Sequence, residues 1–273
     1  MQYLFLTVWW WPPSLNMKRD VITKLLDAGL YPYTKRYLGT FSNHFSTIGL
    51  VGMNEACLNA RWIREDLTHP ESVEFTKDVL NHMRERLSDY QEKYGDLYNL
   101  EATPAESTAY RLAKHDVARY PDIITAAGDC GTPFYTNSSH LPVGYTEDIF
   151  TALDIQDELQ TLYTSGTVFH AFLGEKLPDW KAAANLVRKI AENYKLPYYT
   201  MSPTYSICKD DGYITGEQYV CPKCGKPTEV YPASPATTAR CRTGTTARPR
   251  NSSSAGSITL SGAVSPPFPP PPW

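Results

Sequence analysis

Three cysteines and one aspartate have the types and the spacing of a metal site. Cys221 and Cys224 form a C-x-x-C-G turn, and Cys208 precedes them across a predicted hairpin, GYITGEQYV. Asp211 stands three residues after Cys208, where a second C-x-x-C pair would place its ligand. Structural zinc takes four tetrahedral ligands, and a carboxylate oxygen can be one of them, although it is rarer than sulfur. The spacing predicts zinc bound by Cys208, Asp211, Cys221 and Cys224.

These cysteines have three other interpretations. Reduced cysteines in a surface hairpin remain the alternative to zinc. A redox pair of the thioredoxin type is disfavoured, because no strand-to-helix turn holds the C-x-x-C. Disulfides are also disfavoured, because the six cysteines of the chain cluster late in a sequence that is too long to need covalent staples.

A second candidate is the segment TPAES, residues 103–107. It follows a predicted strand and opens a predicted helix over 103–120, with Pro104 near the start, where proline is tolerated. Free N–H groups at a helix start favour phosphate binding. The alternative is an ordinary capped helix, in which Thr103 and Glu106 form a capping box. The residues alone leave both interpretations open.

Other polar residues carry weaker predictions. The loop FYTNSSHLP (134–142) suits either the lining of a site or a surface turn. His44 and His170 are interpreted as core or rim histidines, and Cys57 as a buried small residue. Cys130 matches no functional cysteine.

The composition restricts the class of protein. The chain has 273 residues and is 42% hydrophobic, which is enough to form a sizeable core. Its formal net charge is -3, so a nucleic-acid polymer is disfavoured as a partner. No apolar run reaches the length of a membrane span, and residues 1–13 lack the basic start and the cleavage site of a signal peptide. We therefore expect a cytoplasmic protein without a membrane partner.

The pattern of apolar residues predicts helices and strands in alternation, and therefore an α/β protein with parallel strands. The predicted helices cover 14–30, 72–94, 103–120, 147–163 and 179–194. The predicted strands cover 97–102 and 196–201, and a strand with the turn after it is predicted over 48–53 and again over 166–174. The segment YPYTKRYLG (31–39) is predicted to be a connection.

The predicted organisation has four parts. Residues 1–13 match no pattern that follows, and residues 14–201 hold the α/β pattern. Residues 202–231 hold the cysteine knuckle. Residues 232–273 are rich in Ala, Thr, Ser, Pro and Arg, which predicts a disordered tail.

Several ungapped strings in order give the chain a recognisable resemblance. YPYTKRYLGTFSNHFSTIGLVGMNEA, LEATPAESTAYRLAKHD, PFYTNSSHLPV, YTSGTVFHAFLGE and GYITGEQYVCPKCGKPTEVY resemble the C-terminal third of anaerobic (class III, glycyl-radical) ribonucleoside-triphosphate reductases. The resemblance covers about residues 14 to 231. A glycyl-radical enzyme of the pyruvate formate-lyase type and a non-catalytic zinc-binding module are the alternatives.

The resemblance implies a fold and a chemistry. The fold is the second half of a ten-stranded α/β barrel followed by a small zinc knuckle. The chemistry is reduction of ribonucleoside triphosphates to 2'-deoxyribonucleotides for DNA synthesis, in which a glycyl radical makes a thiyl radical on a barrel cysteine. The implied partners are a radical S-adenosylmethionine activase and, in the intact protein, a second subunit. The turn of Thr103, Ala105, Glu106 and Ser107 would hold the substrate phosphates.

The sequence departs from the family pattern in several places. Asp211 stands where the family has Cys or His. The thiyl cysteine and the nucleotide-binding (ATP-binding) regulatory domain belong to earlier segments of the family, so this chain alone is expected to be an inactive fragment. After Tyr231 the family continues with its glycyl-radical loop, and this chain has PASPATTARCRTG.

We interpret residues 232–273 as a frameshift product. Codons for Pro232 to Ser252 can be chosen so that another frame spells a glycyl-radical loop. The codon of the radical glycine would then straddle Pro235 and Ala236, and Gly244 is not that glycine.

Overall fold

A computed structural model describes residues 2–127, 132–142, 145, 146, 148–173, 177–203, 205–216 and 218–231. Cys130 lies outside these residues. So do residues 232–273, to which the predictions of a disordered tail and of a frameshift apply. Within them, helices and strands alternate along the chain, as the apolar pattern predicts.

Seven helices and nine strands occur in the described residues. The helices are α1 Gln2–Asp27, α2 Pro32–Tyr37, α3 Met53–Asn59, α4 Pro70–Tyr94, α5 Glu106–Arg119, α6 Ile149–Gln160 and α7 Trp180–Asn193. The strands are β1 Phe45–Gly49, β2 Leu97–Glu101, β3 Ala126–Ala127, β4 Pro133–Phe134, β5 Phe169–Leu173, β6 Tyr199–Pro203, β7 Tyr205–Cys208, β8 Gly212–Thr215 and β9 Glu229–Tyr231.

The longer strands form two parallel pairs. β1 pairs with β2, and β5 pairs with β6. The segment 164–166 lies along the other edge of β2, because Ala102 N–H donates to the Gly166 carbonyl at 2.9 Å and Thr164 N–H donates to the Leu100 carbonyl at 3.1 Å. Parallel strands joined through helices confirm the predicted α/β class. The half-barrel arrangement remains a proposal.

Two apolar clusters cover these pairs. In the first, α4 places Val79, Leu80, Met83 and Leu87 against the β1–β2 pair at helical spacing. The second cluster gathers residues of α6, α7, β5 and β6: Ile149, Leu153, Phe169, Ala171, Leu186 and Ile190. The helices therefore lie on the sheet faces as layers of an α/β protein.

Some predicted element boundaries were wrong. β1 spans Phe45–Gly49, so the strand and following turn predicted over 48–53 missed its first residues, and α3 at Met53 was not predicted. The turn falls where it was predicted, at Gly52, whose left-handed φ of 77° ends the extended backbone. The predicted connection 31–39 contains α2, with Pro32 at its first position. α1 begins at Gln2, before the predicted start at Ser14.

Candidate functional site

The three-stranded sheet β8–β7–β9 brings the four predicted zinc ligands together. Cys208 ends β7, and Asp211 lies in the tight turn that leads to β8. Cys221 and Cys224 lie in a second turn, which is closed by a hydrogen bond from Gly225 N–H to the Cys221 carbonyl at 2.9 Å. Gly225 adopts a φ of 72°, which a residue with a Cβ adopts only with strain.

The spacing of the donor atoms fits one tetrahedral ion. One ligand atom from each of Cys208, Asp211, Cys221 and Cys224 lies within 4.8 Å of all the others. The Cys208 and Cys224 sulfurs are 3.5 Å apart. The Asp211 Oδ2 is 3.1 Å from the Cys221 sulfur and 3.6 Å from the Cys208 sulfur. In a tetrahedron with Zn–S of about 2.3 Å, sulfurs are about 3.8 Å apart and a carboxylate oxygen is about 3.6 Å from them.

The pKa shifts of Cys208, Asp211 and Cys224 come from hydrogen bonds within the cluster and to the backbone. Backbone N–H groups of Asp211 and Asp210 lower the pKa of the Cys208 thiol. Hydrogen bonds from the Cys224 and Cys221 thiols lower the pKa of Asp211. The Asp211 carboxylate in turn raises the pKa of Cys224 to about 12. A divalent cation would remove this conflict, because thiols that bind a metal are deprotonated.

The residues of the predicted phosphate turn lie at the carboxyl end of β2. Thr103 is half-buried, and its hydroxyl lies 3.4 Å from Glu101 Oε2. Ala105 is the residue that precedes α5, and Glu106 and Ser107 open the helix. The first N–H groups of a helix have no partner inside it, so those of this turn are available to an anion.

The alternative of a capping box at this turn was wrong. α5 begins at Glu106, and its N-cap residue is Ala105, which makes no side-chain cap. Thr103 lies too early in the chain to cap the helix, and its hydroxyl is directed to Glu101 instead. The physical reason is that Ala105, with a non-helical φ of -110° and ψ of 51°, is the residue after which the helix begins.

The loop 132–142 packs beside the same end of the sheet. Gly52 N–H donates to the Thr136 carbonyl at 2.8 Å, and Met53 N–H donates to the Ser138 carbonyl at 3.0 Å. Ser138 and Ser139 are fully buried, and both hydroxyls contact the Tyr163 hydroxyl, at 2.5 and 2.8 Å. The loop is therefore an integral part of the fold and not a surface turn.

Sequence reasoning missed Glu55, which holds this loop. Its side chain is only 1% exposed. Its carboxylate accepts the Thr136 N–H at 2.9 Å and the Thr136 hydroxyl at 2.6 Å. Asn54 donates a further bond at 3.2 Å. No local signal in the sequence distinguishes a buried glutamate at a helix start from an exposed one.

The histidines and Cys57 lie largely where they were expected. Cys57 is fully buried and its thiol lies near Thr76. His170 on β5 is half-buried, with its Nδ1 2.8 Å from the Thr200 hydroxyl. His140 was not singled out from the sequence. Burial lowers its pKa to about 4.

The fold is that of anaerobic ribonucleotide reductases. The structure superposes on that of the Thermotoga maritima enzyme with MES in the active site, with a TM-score of 0.64, 24% identity and coverage of 83% of this chain and 37% of that chain. A second Thermotoga maritima structure, described as a complex with dATP and CTP, gives a TM-score of 0.65 at 23% identity and covers 83% of this chain and 36% of that chain.

Sequence comparison then fixes the family. The family profile described as anaerobic ribonucleoside-triphosphate reductase matches residues 7–232, and the chain belongs to this family. The anaerobic ribonucleoside-triphosphate reductase of Haemophilus influenzae is 24% identical over 185 residues, which are 66% of this chain and 25% of that protein. That of Enterobacteria phage T4 is 28% identical over 107 residues, 38% of this chain and 16% of that protein.

The chain thus spans about a quarter or less of the length of these curated relatives. The relatives are oxidoreductases by name and give no support to a pyruvate formate-lyase type enzyme or to a non-catalytic zinc module. The family match begins within residues 1–13, so the predicted boundary at Ser14 stays a prediction. No helix among the described residues has the length and apolar character to cross a membrane.

Proposed function

We propose that this chain is part of an anaerobic ribonucleoside-triphosphate reductase that makes 2'-deoxyribonucleotides for DNA synthesis in the cytoplasm. The observation that carries the proposal is the family match over residues 7–232. The similarity of the fold to the Thermotoga maritima enzymes supports it. In this proposal residues 14–201 form the second half of a ten-stranded barrel, and residues 202–231 form a zinc knuckle.

The proposed zinc site consists of Cys208, Asp211, Cys221 and Cys224. The support is the chemistry of the donors and their mutual distances, which suit a tetrahedral ion. A zinc ion there would have a structural role, joining the β7–β8 turn to the turn at Cys221. In this site Asp211 is the fourth ligand, in the place where the family has Cys or His.

The proposed substrate contact is the turn before α5. The N–H groups of Ala105, Glu106 and Ser107 and the hydroxyls of Thr103 and Ser107 would bind phosphate oxygens of a ribonucleoside triphosphate. Support comes from the position of the turn, since ligands of α/β proteins bind beyond the carboxyl ends of parallel strands. The Thermotoga maritima structure with dATP and CTP shows that a relative binds nucleotides.

The catalytic chemistry requires groups that this chain does not match. The radical reaction of the family needs a cysteine that becomes a thiyl radical and a glycine that carries a glycyl radical. A radical S-adenosylmethionine activase installs the glycyl radical. We propose that the chain alone is inactive, and that the intact protein is a homodimer with a nucleotide-binding regulatory domain.

Nucleotide binding tests the proposed phosphate turn on the chain itself. The purified chain is expected to bind CTP in a calorimetric titration, and replacement of Thr103 by Val together with Ser107 by Ala should weaken binding. Thr161→Ala, at the far end of α6, is the matched control. Equal CTP affinity in the double variant would remove the phosphate turn from the proposal.

The DNA sequence tests the origin of the tail. Reading across the codons for Tyr231 to Gly256, we expect a shifted frame that spells R-V-T-G-Y-Y. An intact frame as given would exclude a sequencing error, and the chain would then carry no glycyl radical.

A further inference from the structure

The Glu101 side chain lies beside the proposed phosphate turn, on the same face of the sheet as Thr103. In β2, Tyr98 and Leu100 pack into the first apolar cluster, so Glu101 projects from the opposite face. A Cβ at Gly49, the β1 partner of Glu101, would contact the Thr103 side chain, which places Thr103 on that face too. A carboxylate therefore adjoins a turn that is proposed to hold anions.

Backbone without side chains borders Glu101 on both edges of β2. Gly49 is its partner on β1, and a Cβ at Gly166 on the other side would lie 3.6 Å from its Oε1. Gly49 and Gly166 are exposed, and Glu101 is half-buried. A ligand that lies across this face can therefore reach the carboxylate.

The same face carries a buried acceptor that lacks a donor. Asn99 lies two residues before Glu101 and is 8% exposed. Its Oδ1 is buried and has no hydrogen-bond partner within the part of the chain that the structure describes. Buried polar atoms in native proteins are nearly always hydrogen-bonded, so a donor from a ligand is expected at this face.

We propose that Glu101 binds the ribose of the nucleotide whose phosphates occupy this turn, by accepting hydrogen bonds from the 2'- and 3'-hydroxyl groups. The proposal rests on the phosphate turn proposed above. The ribose diol has two O–H donors and a carboxylate has two acceptor oxygens, so the two groups match. Glu101 thereby distinguishes a ribonucleotide from a 2'-deoxyribonucleotide, which has lost one of the donors.

The hydrogen bond of Thr103 explains how the carboxylate becomes available. The Thr103 hydroxyl donates to Glu101 Oε2 over 3.4 Å, which is long for an O–H···O bond. A hydroxyl has one proton, so Thr103 cannot donate to this carboxylate and to a phosphate at the same time. When the Thr103 hydroxyl turns to a phosphate, Glu101 loses its donor, and the ribose hydroxyls replace it.

The distances suit the phosphate that is bonded to the ribose. A phosphate oxygen at about 2.7 Å from the Thr103 hydroxyl lies within about 6 Å of Glu101 Oε2. Five covalent bonds of about 1.5 Å separate the α-phosphorus of a nucleotide from its 3'-oxygen, so these two atoms are at most about 6 Å apart. The sugar of a nucleotide held at the turn therefore reaches the carboxylate.

Charge sets the direction in which the nucleotide lies. The start of α5 attracts anions, because the first N–H groups of a helix form its positive end. The Glu101 carboxylate repels anions and has no N–H or O–H to donate to them. The phosphates therefore lie toward α5, and the uncharged sugar lies toward Glu101.

Calorimetric titration of the full chain with CTP, dCTP and inorganic tripolyphosphate tests the proposal. The parent chain should bind CTP at least about tenfold more tightly than dCTP, because hydrogen bonds to a charged group are strong. In Glu101→Gln this ratio should fall below about threefold, because an amide that donates replaces one acceptor oxygen. Tripolyphosphate has no ribose, so its affinity should stay equal or increase in this variant. Glu85→Gln, at an exposed position of α4, is the matched control and should keep the ratio of the parent chain.

The possible outcomes separate this contact from the phosphate turn. An unchanged ratio in Glu101→Gln, or equal affinity of the parent chain for CTP and dCTP, would overturn the ribose contact and leave the phosphate turn standing. Loss of tripolyphosphate binding in Glu101→Gln would also overturn the ribose contact, because Glu101 would then shape the turn itself. A parent chain that binds neither CTP nor tripolyphosphate would overturn the phosphate turn and this contact with it.

Discussion

The α/β body, which is the described chain up to the end of β6, and the sheet of β7, β8 and β9 differ in the side chains that fill the space between their helices and strands. In the body, Leu67, Leu80 and Leu100 of the first apolar cluster have no exposed surface. Among the described residues of 205–231, the buried side chains are Ser206, Cys208 and Cys221. Tyr213, Tyr219 and Val220 are each at least half exposed. The body can be stabilised by apolar burial, whereas the small sheet depends on polar bonds and on its thiolate cluster.

Removal of metal should have the largest effect and should separate the two regions. With the proposed ion bound, addition of a strong chelator should lower the hydrogen-exchange protection of Tyr213 and Ile214 on β8 by at least about tenfold, because ion binding contributes to local folding. Amides of Thr47 and Ile48 on β1 should keep theirs. If β1 lost protection to the same extent, the two regions would be a single cooperative unit.

A cavity in the body should destabilise the body and leave metal binding unchanged. Leu100 is fully buried on β2, so Leu100→Ala should lower the free energy of unfolding by about 2–5 kcal/mol. Metal content should remain that of the parent chain. Urea denaturation followed by circular dichroism measures the free energy of unfolding, and elemental analysis measures the metal content. Leu112→Ala, at a position 47% exposed, is the control and should have little effect.

Substitution of Glu55 tests a polar contribution inside the apolar body. Glu55→Ala leaves the Thr136 N–H and hydroxyl without their acceptor and should cost roughly 2–4 kcal/mol. Glu55→Gln keeps one carbonyl acceptor and should cost less than half as much. Urea denaturation measures both, and hydrogen exchange at Thr136 should rise in Glu55→Ala. Equal costs for the two variants would contradict the role of the acceptor atoms.

Acid should weaken the body gradually as the pH falls. Burial lowers the pKa of His140 from 6.5 to about 4, and His170 on β5 adds to this effect. Between about pH 4 and 6.5, the unfolded chain therefore binds a proton at His140 that the folded chain does not. Stability conferred by neutral His140 is full above pH 6.5 and is lost as the pH falls toward 4, by up to about 3 kcal/mol.

The matched variant for this prediction is His140→Gln. Its unfolding free energy, measured with a chelator present so that metal release does not contribute, should depend less steeply on pH between 4 and 6.5. Burial also lowers the pKa of His170, so a shallower slope of the same sign should remain. An unchanged slope in His140→Gln would assign the acid sensitivity to other groups.

The sequence predicted well where a local pattern determines the structure. The periodic apolar residues of α4 gave 72–94 against the observed Pro70–Tyr94. The cysteine spacing named the four side chains that the small sheet brings together. The strand and turn predicted over 48–53 left out the first residues of β1 and did not anticipate the short helix α3. Glu55 and Tyr163 were missed because their partners, Thr136, Ser138 and Ser139, are distant in sequence.

The close approach of Gly49 to Thr103 limits how related sequences can vary. A Cβ at position 49 would lie 2.7 Å from the Thr103 Cβ and 1.9 Å from its hydroxyl oxygen. Even alanine at position 103 would leave the first of these clashes. With this backbone, at least one of the two positions must be glycine. Natural relatives that place a side chain at position 49 should therefore have glycine at position 103, and the two sites should change together.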